Sequence, residues 1–313
     1  MDATHDARVR PHGRAGRARG GAAVTRLRDE ARAAVELWLL PALVASLPYR
    51  AGIALARRLA RALPLYEPAA RASVAQWRAA GGGGDERAFA AAFRFAQLVD
   101  HADLFWALTR SRRFLLRRLR APALPSGVRA PLLVVSFHYG QGLWLMHWLA
   151  TQGVAARFVS IRLVRSEAQG AVHYAYARLR IRAVERLAGI APIFTGGARR
   201  EIAATLQAAG AVYGLLDVPI PEAAGHAPNA TLRGQPVLLP AGLLESARGT
   251  GAGVLVLTAR TCPDGSRVVQ ADPAGAIEQA DVGALAALLD RRIAEAPAAW
   301  HFWHLWPRFA VPR

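Results

Sequence analysis

The pattern of hydrophobic and polar positions divides the chain into an N-terminal part with helical periodicity and a C-terminal part in which strands and helices alternate. In the C-terminal part, a continuous apolar run over 132–137 is typical of a buried strand, and apolar residues at helical spacing over 277–296 predict a helix. Further strands are predicted at 157–161, 211–216, 253–261 and 267–270. A Pro-Asp-Gly turn joins the last two. This alternation predicts an α/β fold with a mostly parallel central sheet flanked by helices.

Residues 28–129 are predicted to form an N-terminal helical, membrane-associating region in front of an α/β domain at 130–313. Their first apolar run, over 37–47, contains Pro41 and is shorter than the about 20 residues that span a bilayer, so a transmembrane helix is not expected. Residues 49–66 alternate apolar side chains with arginines at helical spacing. This is typical either of a helix lying in a membrane interface or of an amphipathic helix packed on its own domain, and the preceding apolar run favours the interface.

Four glycines at 81–84 form a predicted loop, and Asp85 behind them is a good N-cap for a helix that runs to about residue 104. No strand precedes these glycines and no Lys-Ser/Thr pair follows them. The loop therefore does not match a nucleotide-binding fingerprint.

The composition indicates a folded protein with a basic front. Of the 313 residues, 53% are hydrophobic and 20% are charged, which is too apolar for a disordered chain. Residues 1–27 are the exception, because they carry few large apolar side chains and are predicted to be a flexible tail. The net charge is +18, all 40 basic residues are arginines, and 23 of them lie within 1–129. Such a surface attracts anionic lipid or nucleic acid, but no nucleic-acid-binding signature accompanies the charge.

Metal and disulfide chemistry are not expected. Cys262 is the only cysteine, which excludes an intrachain disulfide and a cysteine-built zinc site and fits a reducing compartment. His301 and His304 share a face if their segment is helical, but no nearby carboxylate completes a zinc site. His147 is interpreted as a packing residue.

The segment with the strongest chemical signal runs from residue 134 to residue 144. His138 directly follows a predicted buried strand, which places it at the carboxyl edge of the sheet, where α/β folds bind ligands. Gly140 and Gly142 allow close backbone approach, and the following helix offers unpaired N–H groups to an oxyanion. An imidazole with an ordinary pKa of about 6.5 can act there as a general base. A packed or hydrogen-bonded structural histidine is the alternative.

These residues resemble the lipid A late acyltransferases, the lauroyl and myristoyl transferases, and their lysophospholipid-acyltransferase-like relatives. Phe137-His138-Tyr139-Gly140 is similar to the family's opening catalytic block. Further similar segments follow in the family's order and cover most of the chain: 159–162, 186–189, 210–217, 232–236, 239–242, 247–252 and 297–309. None of these segments is highly specific alone, and their order and spacing carry the resemblance.

The resemblance implies a membrane-associated acyltransferase of lipid A biosynthesis, peripheral on the cytoplasmic face of a bacterial inner membrane. It would move an acyl chain from a thioester donor, acyl carrier protein or coenzyme A, to a hydroxyl of a lipid or glycolipid acceptor, without a metal or redox cofactor. His138 and Asp217 would be the catalytic residues. The implied substrate-binding residues are Gly140, Gln141, Gly142, Arg162, Arg186 and Arg233. Arg162 and Arg186 would hold a phosphate, with ordinary surface arginines as the alternative.

The chain departs from the family at one position. The family's His-x4-Glu/Asp motif carries a carboxylate that orients the histidine, whereas this chain has Leu143 there. Loss of an orienting carboxylate costs about 10⁴ in rate in a protease, so the departure matters. Two alternatives follow: Asp217 reaches His138 from another strand, or the protein is catalytically silent and binds lipid-linked or carrier-linked acyl groups.

Overall fold

The computed structural model describes residues 14–165, 170–220 and 227–311, with side chains from residue 24 onward, and these residues contain a seven-stranded sheet beside a small hairpin. The sheet consists of β1 (Leu119–Arg120), β2 (Leu132–Ser136), β3 (Ala156–Ser160), β4 (Ile193–Phe194), β5 (Ala211–Leu215), β8 (Gly253–Thr261) and β9 (Arg267–Ala276). The separate hairpin consists of β6 (Ala230–Leu232) and β7 (Gln235–Val237).

The strand order in the sheet is β1-β9-β8-β2-β5-β3-β4. All neighbouring strands are parallel except β8 and β9, which form an antiparallel hairpin through the predicted Pro-Asp-Gly turn. The predicted mostly parallel central sheet flanked by helices is therefore confirmed. Two short strands, β1 and β4, extend the sheet beyond the strands that the apolar pattern predicts.

The helices of the described residues are α1 (Arg14–Ala34), α2 (Leu40–Ser46), α3 (Tyr49–Ala62), α4 (Glu67–Ala79), α5 (Glu86–Thr109), α6 (Arg112–Leu116), α7 (Gly142–Thr151), α8 (Ala171–Ala188), α9 (Ala198–Gln207), α10 (Gly242–Ala247) and α11 (Val282–Glu295). A π-helical turn, Val35–Leu39, joins α1 to α2, and two 3-10 segments, Pro297–Ala299 and Trp303–Arg308, lie near the C-terminus. Asp85 caps α5 as predicted, because its carboxylate accepts from the backbone N–H of Arg87 at 2.8 Å.

Both faces of the sheet are covered, which explains the continuous apolar run of β2. Leu133 and Val135 pack in a cluster with α9, α10, α11 and the tryptophans near the C-terminus. Leu132 and Val134 pack in a second cluster with α5, α7 and α8. Because successive side chains of a strand point to opposite faces, both sets must be apolar.

The N-terminal helices share these cores with the α/β part. Trp77 of α4 stacks on Phe89 of α5 at 4.2 Å between ring centroids, and both belong to the cluster that contains the C-terminal tryptophans. Arg267 of β9 forms a fully buried ion pair with Asp103 of α5. Region 28–129 also supplies β1 to the sheet. The two predicted regions are therefore packed together through common hydrophobic clusters.

Two N-terminal expectations turn out differently. Residues 14–27, expected to be flexible, belong to α1, whose many alanines and arginines favour a helix, while residues 1–13 lie outside the described part. The helix over 49–66 is α3, and its apolar residues Tyr49 and Ile53 are buried against other helices, as in the packed alternative. Within the described residues, no helix has the length and hydropathy needed to cross a membrane.

Candidate functional site

His138 and Asp217 lie next to each other at the carboxyl edge of the sheet. The parallel pairing of β2 with β5 aligns Ser136 with Leu215, and both residues of the site follow two positions later on their strands. The backbone N–H of His138 donates to both carboxylate oxygens of Asp217, at 2.8 and 2.9 Å. The Nδ1 atom of the imidazole lies 3.0 Å from Asp217 Oδ1. The sheet register thus brings together the two residues expected to be catalytic.

Hydrogen bonds to both oxygens hold the Asp217 carboxylate in place. It is fully buried, and its Oδ2 also accepts from the indole N–H of Trp300 at 2.9 Å. The contact between His138 Nδ1 and Asp217 Oδ1 suits the tautomer with its proton on Nδ1, because a carboxylate oxygen accepts hydrogen bonds. The Nε2 atom then keeps its lone pair. Since 29% of the His138 side chain is exposed, this is the geometry of a general base open to a substrate.

The C-terminal segment forms one wall of the site. Trp300 and Tyr139 form an antiparallel bridge, and the backbone N–H of His301 donates to the His138 carbonyl at 2.8 Å. The Phe302 ring stacks on the His138 imidazole with 3.9 Å between centroids. These contacts restrict the rotation of the His138 ring, and its orientation is therefore set before a substrate binds.

The side chain of Leu143, five positions after His138, does not take part in the site. It is buried in the apolar cluster that contains Val134 and Leu132. A carboxylate at this position would be surrounded by apolar groups. Asp217, two residues after the end of β5, supplies a carboxylate partner for His138, as in the first of the two alternatives that the sequence leaves open.

In the loop between β2 and α7, two of the backbone N–H groups nearest His138 bond within the fold and are not available to an oxyanion. The backbone N–H of Gly140 donates to the Ala299 carbonyl and that of Gln141 to the Ala259 carbonyl, at 2.8 and 2.9 Å. Gly140 has φ +65°, and a Cβ atom there would lie 1.7 Å from the Ala259 carbonyl oxygen. These two N–H groups are therefore engaged within the fold. The predicted oxyanion donors reduce to the N–H groups that begin α7, at Gly142 and Leu143.

Of the three arginines predicted to bind substrate, Arg162 is the one that lies on a loop at the carboxyl edge of the sheet, after β3. It is exposed on the loop after β3, with its guanidinium 5.1 Å from the centre of the Phe194 ring. Arg186 is in the last turn of α8, and because α8 connects parallel strands, that turn lies at the opposite edge. Arg233 is in the turn of the small hairpin and contacts Asp290 of α11. Arg186 and Arg233 are thus not brought to His138.

A second polar cluster, which the sequence analysis missed, lies between α5 and α8. Asp100 of α5 forms a two-point contact with Arg180 of α8, at 2.9 and 3.0 Å. His101 Nδ1 lies 2.7 Å from the Tyr176 hydroxyl. Burial lowers the pKa of His101 to about 3, against an opposing effect of Asp100. Acidic residues in the otherwise apolar α5 were the signal that could have found this cluster, since buried charges require partners.

His301 connects the two polar clusters. Burial lowers its pKa to about 4, and the charges of Asp100, His138, Arg180 and Asp217 all act on it. The His301 imidazole is therefore neutral near pH 7 and borders both the His138–Asp217 pair and the Asp100–Arg180 pair.

The His138–Asp217 geometry is suited to acid–base chemistry, and comparison with known proteins adds no family to it. No family model and no curated protein sequence matches the chain. The resemblance to the lipid A late acyltransferases therefore depends on the sequence segments themselves. Functional inference has to start from the site.

The described residues contain no group of three or more histidine, cysteine or acidic side chains placed to hold a metal ion. His304 lies in the 3-10 segment Trp303–Arg308 and His301 in the turn before it, and each has a ring nitrogen that is buried without a hydrogen-bond partner among the described residues. Cys262 is a free thiol at the β8–β9 turn.

Proposed function

We propose that the protein is an acyltransferase that moves an acyl chain from a thioester donor to a hydroxyl of a lipid or glycolipid acceptor. The observation that carries this proposal is the His138–Asp217 pair at the carboxyl edge of a mostly parallel sheet, with the His138 side chain partly exposed. The ordered resemblance of segments 137–140, 210–217 and 297–309 to the lipid A late acyltransferases supports the same reaction class.

In the proposed reaction, His138 Nε2 accepts the proton of the acceptor hydroxyl as its oxygen attacks the thioester carbonyl carbon. The imidazolium that forms is stabilised by the buried Asp217 carboxylate, which also keeps the ring in the required tautomer. When the tetrahedral intermediate collapses, the carbon–sulfur bond breaks and the leaving thiolate takes the proton from His138. General-base catalysis of this kind contributes about 10²- to 10⁴-fold in rate.

The negative charge on the former carbonyl oxygen needs hydrogen-bond donors. The free N–H groups at the start of α7 fit this role, because the helix begins four residues after His138 at the same edge of the sheet. Arg162 lies at this edge as well. Its position allows it to bind a phosphate group of the donor or the acceptor.

The catalytically silent alternative loses its main argument. It depends on Leu143 and therefore on a histidine without a carboxylate, whereas Asp217 lies within hydrogen-bonding distance of His138. It still defines a distinct experimental outcome: tight binding of the acyl donor without turnover.

The test is acyl transfer by the full-length protein in mixed micelles, with radiolabelled acyl carrier protein or acyl coenzyme A and total bacterial lipid. We expect labelled lipid from the wild type and from His304→Gln, and none from His138→Gln. His304 is a matched control because it is also a half-buried histidine, in the C-terminal segment that forms one wall of the site, but it does not contact Asp217. Absence of labelled lipid from the wild type with both donors, or equal activity of His138→Gln, would overturn the proposal.

A further inference from the structure

Exposed apolar side chains form a continuous row on the first helical segment. Leu27, Ala31, Val35, Leu39 and Leu43 follow one another at four-residue intervals through α1, the π-helical turn and α2, and all five are exposed. Leu27 and Leu39 are the most open large side chains of the row, at 71% and 62% exposure. At 1.5 Å per residue, the row is about 24 Å long. We call these five residues the α1–α2 row.

The row is unusual because the opposite side of the same segment is already buried. Ala33, Leu37 and Val44 lie within the hydrophobic clusters of the protein. A surface helix normally buries one apolar stripe and presents polar residues to water. A second apolar stripe on the outer side indicates a surface that contacts another apolar phase.

The α1–α2 row begins beside the edge of the sheet that carries His138. The Glu30 carboxylate accepts from the first backbone N–H groups of α8, at Ala171 and Val172, with distances of 2.8 and 2.9 Å. The N-terminus of α8 lies at the carboxyl edge of the sheet, because α8 follows β3 and leads to the parallel strand β4. Glu30 thus fixes the neighbouring part of the row at the edge where the proposed reaction takes place.

Other segments at this edge carry exposed apolar side chains too. Ile161 and Val164 lie on the loop after β3, at 60% and 72% exposure, and Val218 directly follows Asp217. In the described part, eight of the ten exposed large apolar residues belong to the row, to Val24 one turn before it, or to these two loops. The other two are Leu63 and Ile190. The apolar exposure of the protein is therefore concentrated around the site.

The same surface carries positive charge. Arg28 is exposed next to Leu27, and Arg162 and Arg165 are exposed beside Ile161 and Val164. Apolar side chains bordered by arginines match an anionic bilayer, whose head groups attract the arginines while the interface accepts the apolar groups.

We propose that the α1–α2 row and the 161–165 loop form one docking surface for an anionic lipid bilayer, oriented so that the carboxyl edge of the sheet faces the membrane. This inference rests on the proposed function, in that it brings His138 to a lipid acceptor. It replaces α3 as the membrane-contacting element, because the apolar side of α3 is buried. Ile190, after the far end of α8, then points away from the bilayer.

The test is sedimentation of the full-length protein with sucrose-loaded vesicles that contain 30% or no phosphatidylglycerol in phosphatidylcholine. We expect Leu27→Glu/Leu39→Glu and Ile161→Glu/Val164→Glu each to lower the partition coefficient at least tenfold. Ile190→Glu, a matched control at an exposed apolar position beyond the far end of α8, should stay within twofold of the wild type. Unchanged thermal unfolding confirms that each variant is folded. Arg162→Glu should weaken binding only to the vesicles that contain phosphatidylglycerol.

A second readout reports orientation. In a Cys262→Ser background, an environment-sensitive fluorophore on Leu39→Cys or Val164→Cys should shift to the blue with vesicles, and one on Ile190→Cys should not. Equal binding of the row and control variants would overturn the docking surface. A fluorescence shift only at residue 190 would also overturn it. So would a wild type that does not bind vesicles but self-associates with increasing concentration, if Leu27→Glu/Leu39→Glu abolishes the self-association. Vesicle binding needs no catalysis, so loss of acyl transfer with intact docking would overturn the proposed function alone.

Discussion

His138 and Asp217, 79 residues apart in the chain, occupy equivalent positions beyond two adjacent parallel strands. The register of β2 and β5 aligns the two strand ends from which these residues follow. The orienting carboxylate therefore comes from a neighbouring strand, and the helix after His138 is free to carry an apolar residue at position 143.

Asp217→Asn should abolish the orienting charge while it preserves the shape of the site. We expect acyl transfer to fall by about 10³- to 10⁴-fold in kcat, because an amide can hold the wrong tautomer of His138 and cannot stabilise the imidazolium. Asp290→Asn is the matched control, since Asp290 pairs with Arg233 away from the site. The measurement is the labelled-lipid assay, and similar kcat values for the two variants would contradict the role of Asp217.

Leu143→Glu creates the His-x4-Glu spacing of the lipid A late acyltransferases, but it should not improve activity. The new carboxylate would enter an apolar cluster, where burial raises the pKa of such a group by about 3 units or more, equivalent to about 4 kcal/mol of stability at neutral pH. Leu143→Met, which keeps the volume, should cost less than about 1.5 kcal/mol. Urea unfolding compares the two. A stable Leu143→Glu protein that rescues Asp217→Asn would show that position 143 reaches the site.

Trp300 is expected to act as a positioning residue for Asp217. Trp300→Phe removes the indole N–H from Oδ2 and leaves a buried acceptor with one partner fewer, which costs about 1–3 kcal/mol of stability. Trp303→Phe also loses an indole hydrogen bond, to the Pro297 carbonyl, and provides the matched control. We expect both variants to lose stability but only Trp300→Phe to lose kcat, by about tenfold, with KM unchanged. Equal kcat values would assign Trp300 a purely structural role.

Alanine should destabilise the protein strongly at Gly140 and only slightly, if at all, at Gly142. Gly140→Ala combines a left-handed backbone with the close approach to the Ala259 carbonyl, so we expect a loss of about 3 kcal/mol or more. A Cβ at Gly142 meets no atom within 4 Å, and alanine favours the first turn of α7, so stability should change by less than about 1 kcal/mol. Thermal unfolding distinguishes the two, and equal losses would contradict this geometry.

Stability should fall as the pH is lowered from about 6.5. Burial lowers the pKa of His147 and of His301 to about 4 and that of His101 to about 3. Between these values and the ordinary pKa of about 6.5, the unfolded chain binds more protons than the folded chain, so stability rises with pH. The stabilising effect is complete above pH 6.5 and is lost toward pH 4.

His147→Gln isolates one of these histidines, because His147 lies in α7, outside the two polar clusters. We expect the slope of the unfolding free energy against pH to decrease by up to about 1.4 kcal/mol per pH unit between pH 4.5 and 6. Denaturant titrations of the variant and the wild type at several pH values measure this slope. Parallel curves would show that His147 does not remain neutral in the folded protein.

The sequence by itself determined the alternation of strands and helices, the capping of α5 by Asp85, and the place of His138 at a strand end. These features depend on local periodicity and on residues a few positions apart, which are readable along the chain. The choice between a membrane-facing and a buried α3 was not readable in this way, because an amphipathic stripe has the same period in both settings.

Only the tertiary structure decided which residues surround His138. Strand register aligns Asp217 with His138, and the C-terminal segment places Trp300, His301 and Phe302 against this pair. The same packing places Arg186 and Arg233 away from His138. It also uses the N–H groups of Gly140 and Gln141 in hydrogen bonds to backbone carbonyls. Contacts between residues tens of positions apart depend on strand order, and no local pattern in the sequence encodes that order.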